Sequence, residues 1–363
     1  MKLNLNWMKM LKCMGITMGI CSALMLGLYF AYNQIFQAPD VTVERPAFGG
    51  IGFRPDPVVA RPPDDSDAWD PDFSYALSLM PEFDEWEWDT WQRKDNFYTF
   101  LLFAIDDHRN ADVIWIVSFC LENEELHIID VPRDVRIDIA DRNVRRVNAA
   151  YPINWTRDGH DEAVRVFREE IAWLIGFEVD FYVSISMRAF AQVVDILGGV
   201  TVHVPFRMVY YSPQQNLHIN LFAGTQRLNG TQAVHFARWR QNTDHTGNIG
   251  TAARGRHIFQ LMEAITREAR SPATLARLPD LLATYNRYVN TDLDFTNLLY
   301  FANQFLRNNI QLQYHRIPVT YVTRPRWYDV PVHDETLALI NATINPFTRD
   351  IEIIMPSPAE EED

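Results

Sequence analysis

The sequence predicts an α/β domain of three layers that follows a single membrane-spanning helix. Two observations support this prediction. Apolar runs of strand length alternate with amphipathic helical segments after residue 96, and an uncharged apolar run covers residues 13–32. With 47% hydrophobic and 13% aromatic residues, the chain has enough apolar surface for a sizeable core. This composition excludes a chain that is disordered throughout.

Strands are predicted where apolar, β-branched and aromatic residues dominate short runs. The first three cover residues 97–105, 113–120 and 125–131, and the first two are almost continuously apolar. Such continuity favours strands that are covered on both faces. Similar runs predict further strands over residues 179–186, 200–205 and 311–318.

Helices are predicted from a different spacing of apolar residues. Residues 161–176 place Val164, Phe167, Ile171, Leu174 and Ile175 on one side, as an amphipathic helix does. A helix over residues 187–197 is terminated by the glycine pair that follows it. Further helices are predicted over residues 252–269, 272–285 and 295–306. This mixture of strands and helices indicates a three-layer α/β domain.

The N-terminal segment predicts the location of the protein. Residues 1–12 contain three lysines and no acidic residue, residues 13–32 are uncharged, and the next charged residue is Asp40. This asymmetry predicts a cytoplasmic N-terminus, a transmembrane anchor over residues 13–32 and an extracytoplasmic domain. A cleaved signal peptide is the first alternative, but no small-residue cleavage pattern follows Tyr32. A buried core helix is the second, and the flanking lysines and the following prolines disfavour it.

The remaining boundaries follow from composition and charge. Residues 33–95 are rich in proline and predict an extended stalk, residues 96–345 predict the folded domain, and residues 346–363 predict an acidic tail.

The net charge of −14 argues against a nucleic-acid partner. Three cysteines cannot supply a disulfide framework or a cysteine-based zinc site.

Two aspartates mark the junction of the first two strands. Asp106 closes the first strand and Asp112 opens the second. Carboxylates on either side of a short loop can share a hard cation such as Mg²⁺, which prefers oxygen ligands and often bridges to phosphate. The alternative is that both aspartates cap turns, for which aspartate is a preferred residue.

Three arginines predict a phosphate-binding cluster. Arg133 follows the third strand, and its guanidinium suits bidentate phosphate contacts. Alternatively, Arg133 pairs with Asp134 or Asp106. The alternation around Arg238 and Arg240 predicts that both lie on one face of a strand, where they repel each other unless an anion lies between them. An isolated pair of this kind is typical of a solvent-exposed strand edge, but together with Arg133 the two arginines predict a pyrophosphate clamp.

An ordered series of motifs resembles the LytR-CpsA-Psr family between about residues 96 and 318. The motifs are Pro132-Arg133-Asp134, Val147-Asn148-Ala149-Ala150-Tyr151, the run from Leu197 to Pro205, the run from Gly224 to Ala233, and Arg238-Trp239-Arg240. The resemblance implies an α/β/α domain with a mixed central sheet. It also implies a polyprenyl-pyrophosphate-linked glycan as substrate and peptidoglycan as acceptor. The activity implied is a phosphotransferase of cell-wall biogenesis that carries teichoic acid, capsule or another wall glycan.

The resemblance also implies roles for individual residues. Asp106 and Asp112 fall at the family's magnesium-binding aspartates, and Asp106 and Asp134 are the candidates to accept the attacking proton. Arg133, Arg238 and Arg240 fall at phosphate-contacting arginines. Arg146 stands where the family commonly has lysine, which keeps the charge.

The last motif of the family, Asp-x-Gly-Arg-x-x-Arg-Gln, is only partly present. This chain keeps its second arginine as Arg254, which we expect to contact the pyrophosphate, but has Thr251 and Gly255 at the first arginine and the glutamine. Arg109 or Arg256 is expected to supply the missing charge. The changes leave two alternatives to the transferase: a non-catalytic lipid-glycan binding or scaffold protein, and a hydrolase that cleaves the same pyrophosphate.

Overall fold

The computed structural model describes residues 37–39, 41, 92–106, 109–137, 145–275, 277–322, 327–352 and 354. The predicted cytoplasmic segment and anchor, most of the stalk and the end of the acidic tail lie outside these residues. Within the described ranges, no helix is both long enough and apolar enough to cross a membrane.

Most of the predicted strands and helices are present, and their bounds agree closely with the sequence patterns. The strands are β1 (Phe97–Ile105), β2 (Ala111–Cys120), β3 (Glu125–Asp130), β4 (Phe181–Ser186), β5 (Val200–Val204), β6 (Met208–Ser212), β7 (Leu217–Leu221), β8 (Gly224–Leu228), β9 (Val289–Thr291), β10 (Gln311–Arg316), β11 (Val319–Val322) and β12 (Tyr328–Pro331). The helices are α1 (Ala150–Asp158), α2 (His160–Ile175), α3 (Met187–Ile196), α4 (Gly230–Arg238), α5 (Thr251–Ala269), α6 (Pro272–Leu275), α7 (Leu278–Tyr288), α8 (Phe295–Arg307) and α9 (His333–Thr343).

The central sheet is mixed, with the strand order β10-β3-β2-β1-β4-β9. Strands β1, β2 and β3 are antiparallel neighbours, whereas β1 pairs with β4 and β3 pairs with β10 in parallel. Because β3 and β10 are parallel, their C-terminal ends lie side by side at the same end of the sheet, although the two strands are far apart in sequence. Charged side chains lie at this end of the two strands, among them Asp130 and Arg316.

A first hydrophobic core covers one face of the central sheet. It contains Leu101 and Phe103 of β1 together with Phe167 and Ile171 of α2, and all four side chains are buried. The apolar stripe predicted for this helix therefore packs against the sheet, as its spacing requires. The chain beyond residue 345 also contributes to this core, through buried Phe347, Ile351 and Ile354.

A second core lies among the smaller sheets. Strands β5 and β8 form one antiparallel pair and β6 and β7 another, outside the central sheet. Their inward residues pack with Phe236 of α4, Trp239 and Leu261 of α5. This core fixes the end of α4 and one side of α5, the two segments that carry the later arginine motifs.

The predicted helix over residues 272–285 is two helices, α6 and α7. The second begins with a proline in its first turn, where the missing backbone N–H has no helical partner to lose. Asp294 caps the N-terminus of helix α8, and its side chain accepts a 2.7 Å hydrogen bond from the Asn297 backbone. Residues 293–309 belong to a separate compact unit from the rest of the described elements.

Candidate functional site

The turn between β1 and β2 positions both predicted aspartates. Ala104 pairs with Val113 and Ile105 pairs with Ala111, so Asp112 is the extra residue of a β-bulge. Bulges redirect a side chain out of the regular alternation of a strand. Asp106 accepts hydrogen bonds from the Asn110 backbone at 2.8 Å and from its side-chain amide at 3.1 Å. Asp106 therefore caps the turn, whereas Asp112 is directed elsewhere.

Asp112 binds Arg133, which lies directly after β3. The Arg133 Nη1 atom donates to Asp112 Oδ1 at 2.8 Å, and Arg133 Nε lies 3.5 Å from Asp134 Oδ2. Burial alone would lower the pKa of Arg133, but the two carboxylates outweigh it and raise that pKa. The expected pairing of Arg133 with Asp134 is therefore present, and a second pairing with Asp112 accompanies it.

Arg146 extends the same group of charges. Its Nη1 atom lies 3.3 Å from Asp134 Oδ1, so Asp134 lies between two guanidinium groups. Arg146 Nη2 also donates to the Trp327 carbonyl at 3.1 Å, and its guanidinium lies 5.9 Å from the centre of the Tyr328 ring. These contacts hold Arg146 in place beside the predicted site.

Arg254 reaches the site from helix α5. Its Nη2 atom donates to the Asp112 backbone carbonyl at 2.9 Å. Burial lowers the pKa of Arg254 to about 10, and the neighbouring charges of Arg240 and Arg133 act in the same direction. The surrounding protein likewise desolvates the Arg240 guanidinium and lowers its pKa, with the charge of Arg133 as the next cause. Arg133 and Arg254 are brought together by Asp112, which binds one through its carboxylate and the other through its carbonyl, and a polyanion would stabilise such a group of cations.

The predicted strand around Arg238 and Arg240 is wrong. Arg238 is the last residue of helix α4, and the chain becomes extended at Trp239. Asn229 and Gln232 form a reciprocal capping box that starts this helix. The two arginines remain only two residues apart, and the charge of Arg238 contributes to the lowered pKa of Arg240.

A small cavity of about 20 Å³ lies between these charged groups, enough for about one water molecule. Its lining includes the predicted Asp112, Arg133, Asp134 and Arg254. It also includes three charged residues that the sequence reasoning missed: Asp130, Arg316 and Asp329. Asp130 could have been recognised in the sequence as a charged residue in an apolar strand run, because a buried charge requires a partner.

Asp130 and Arg316 form a partly buried ion pair across β3 and β10. The two residues are direct neighbours in the parallel register, and Arg316 Nη1 donates to Asp130 Oδ2. Trp115 Nε1 donates to the other carboxylate oxygen at 3.2 Å. Burial raises the pKa of Asp130 even though Arg316 lowers it. The pair therefore places a further guanidinium in the cavity lining, held by an internal carboxylate.

The two arginines expected to supply the missing charge lie elsewhere. Arg109 is exposed and stacks on Trp155, with its guanidinium 5.0 Å from the ring centre. Arg256 is also exposed. Neither is among the residues that line the cavity, whereas Arg316 is.

Asp106 and Asp112 are the candidate ligands for a magnesium ion. Asp106 and Asp112 offer carboxylate oxygens on one hairpin, and Mg²⁺ is commonly held by one or two carboxylates together with substrate phosphate. In the part of the chain that the structure describes, no group of three or more histidine, cysteine, aspartate or glutamate side chains could hold a metal. The magnesium site therefore stays a prediction that depends on a phosphate ligand.

Relatives of this chain are transferases and regulators by name. The TagU polyisoprenyl-teichoic acid–peptidoglycan teichoic acid transferase of Oceanobacillus iheyensis is 27% identical over 257 residues, which cover 67% of this chain and 74% of the relative. The TagV transferase of Bacillus subtilis is 25% identical over 209 residues, 55% of this chain and half of that relative. The solved structure of protein gbs0355 from Streptococcus agalactiae shares the fold, with a TM-score of 0.57 and 17% identity over 72% of this chain and 96% of that one.

The family assignment rests on a match that covers most of the folded region. The model of the LytR_cpsA_psr family matches residues 82–343, a span that includes the β1–β2 hairpin, the arginine cluster and helix α5. The shared fold and the order of the motifs agree with this match. The chain therefore belongs to the LytR_cpsA_psr family.

Proposed function

We propose that this protein transfers a glycopolymer from a polyprenyl-pyrophosphate carrier to peptidoglycan. The observation that carries the proposal is the grouping of Arg133, Arg240 and Arg254 around Asp112 in a member of the LytR_cpsA_psr family. Clustered guanidinium groups are suited to a pyrophosphate because each can donate two hydrogen bonds to phosphate oxygens. The names of the TagU and TagV relatives, which are teichoic acid transferases, support a polymer of this class.

The chemistry required is a phosphoryl transfer. A peptidoglycan hydroxyl attacks the phosphorus nearest the sugar, a new O–P bond forms, and the P–O bond to the lipid phosphate breaks. Polyprenyl phosphate leaves with the electron pair of that bond. The arginines lower the barrier by positioning the pyrophosphate and by stabilising the negative charge that gathers on its oxygens.

Two further roles are proposed for the carboxylates. Asp106 and Asp112 would hold Mg²⁺, which would supply positive charge to the phosphate oxygens. Asp106 or Asp134 accepts the proton of the attacking hydroxyl. Arg133 and Arg146 hold Asp134 in place, and Asn110 does the same for Asp106.

The protein is proposed to act outside the cytoplasm at the cell membrane. The lysines of residues 1–12 and the uncharged run of residues 13–32 support an uncleaved anchor with a cytoplasmic N-terminus. Both the lipid carrier and peptidoglycan are reached from that side of the membrane.

The test uses the full chain in detergent with a polyprenyl-pyrophosphate glycan and peptidoglycan fragments. We expect release of polyprenyl phosphate together with glycan-modified peptidoglycan. Arg133→Ala should reduce the rate by about 100- to 1000-fold, the usual loss when one donor to developing charge is removed. The matched control is Arg349→Ala, because Arg349 is exposed and pairs with Glu352 at 3.0 Å.

The products separate the transferase from its two alternatives. Release of lipid phosphate with free glycan and unmodified peptidoglycan would indicate a hydrolase. Tight binding of the lipid without release of either product would indicate a binding protein. A rate that Arg133→Ala leaves unchanged would contradict the role of the arginine cluster in any of the three.

A further inference from the structure

A pair of histidines lies on the opposite face of the central sheet from the Asp130–Arg316 pair. His127 of β3 and His315 of β10 are diagonal neighbours in the parallel register, which pairs His127 with Gln313 and Ile129 with His315. Alternation along a strand therefore directs both histidines to the same face as buried Ile129. Both rings are partly buried, and their planes differ by 25°.

The two rings approach each other through one nitrogen each. His127 Nδ1 lies 3.2 Å from His315 Nε2. Two nitrogen ligands of a tetrahedral Zn²⁺, each at about 2.0–2.1 Å, are about 3.3 Å apart. The observed separation is close to this distance, and a bound metal would replace the proton of the hydrogen bond that joins the two rings.

The other nitrogen of His127 is already held by a carboxylate. His127 Nε2 lies 3.4 Å from Glu125 Oε2, and Gln313 Nε2 donates to Glu125 Oε1 at 3.1 Å. A carboxylate on the far nitrogen of a histidine fixes the ring and its tautomer, as it does for most metal-bound histidines. With its Nε2 proton directed to Glu125, His127 presents the lone pair of Nδ1 to His315.

We propose that His127 and His315 form a binding site for a borderline transition-metal cation such as Zn²⁺, Ni²⁺ or Cu²⁺. Imidazole ligands select these ions over Mg²⁺, which prefers oxygen. Glu125 and Gln313 orient His127 from behind. Two protein ligands leave the other coordination positions to water or to another molecule, and the partial exposure of both rings gives the metal access. This site is separate from the proposed magnesium site and does not depend on the transferase function.

Titration calorimetry of the full chain in detergent with Zn²⁺ tests the proposal, with Cu²⁺ and electron paramagnetic resonance as a second readout. We expect one Zn²⁺ per chain, undisturbed by excess Mg²⁺, and a Cu²⁺ signal with hyperfine coupling to imidazole nitrogen. His315→Gln and His127→Gln should abolish both. Glu125→Gln should weaken Zn²⁺ binding about 10- to 100-fold, because it removes the orienting carboxylate.

His218→Ala is the matched control, since His218 is an exposed histidine on β7 that packs edge-on against Tyr211. It should leave Zn²⁺ binding unchanged. Circular dichroism of each glutamine variant establishes that it is folded, and the milder Glu125→Gln variant provides a second measurement if one is not. The proposal is overturned if the wild-type chain binds no Zn²⁺, or if binding persists in folded His127→Gln and His315→Gln variants.

Discussion

Replacing Gly255 with alanine tests how closely helix α5, which carries Arg254, packs against Tyr314 of β10 and Asp130 of β3. A Cβ atom at Gly255 would overlap the Tyr314 hydroxyl and would lie 2.9 Å from Asp130 Oδ2. A glycine-to-alanine change within a helix normally stabilises it by about 1 kcal/mol. Overpacking a buried site costs about 1–3 kcal/mol. The sum predicts that Gly255→Ala lowers the free energy of unfolding by about 0–2 kcal/mol, in contrast to the usual gain.

A double-mutant cycle isolates the overlap from the change in helix propensity. Tyr314→Phe removes the hydroxyl that a Cβ at position 255 would meet, whereas the 2.9 Å approach to Asp130 Oδ2 remains, so Gly255→Ala should be less destabilising in that background than in the wild-type chain. The assay is urea unfolding of all four proteins, with equal m-values as the check on two-state behaviour. If Gly255→Ala changes the free energy of unfolding equally in the wild-type and Tyr314→Phe chains, the steric argument fails.

Four further outcomes are expected. Arg93→Met should lower the free energy of unfolding by about 3–5 kcal/mol in urea, because it leaves the buried carboxylate of Asp180 without its ion-pair partner. Ser186→Ala should cost about 1 kcal/mol by the same measurement, because the Ser186 hydroxyl caps helix α3. Burial raises the pKa of Asp130 above its ordinary value of 3.8, so the folded state binds this proton more tightly than the unfolded state. That contribution favours folding at low pH and is lost as the pH rises above about 4. Asp130→Asn should therefore make the free energy of unfolding depend less on pH in this range. Asp112→Asn should remove the Mg²⁺ dependence of inorganic pyrophosphate binding in calorimetry, and an unchanged dependence would contradict the proposed metal site.

The parts of the fold that the sequence predicts well are those set by local periodicity. Strand β1 and helix α2 are bounded within a residue of their predicted ends, because their apolar spacing extends over the whole element. Arg133 likewise lies just after β3, as the apolar run predicts. Around Arg238 the alternation was too short to be decisive, and the capping box at Asn229 was the stronger local signal.

Contacts between distant parts of the chain were not predictable in this way. Asp130 and Arg316 are 186 residues apart, and only the parallel pairing of β3 with β10 makes them neighbours. The bulge that directs Asp112 toward Arg133 depends on a register shift that no pattern of residue types reveals. The departure at Gly255 has a structural explanation of the same kind, since Tyr314 of β10 occupies the space of a side chain there.

The charge balance of the site determines how a pyrophosphate can enter it. Arg133 is bound by the carboxylate of Asp112, and Arg254 by the carbonyl of the same residue. An incoming phosphate must therefore compete with Asp112 for Arg133. A cation at Asp112 would weaken that ion pair and release the guanidinium, so cation and phosphate should each increase the affinity for the other by the same factor. In the proposed mechanism, Asp112 would therefore be the residue through which metal and pyrophosphate binding are coupled.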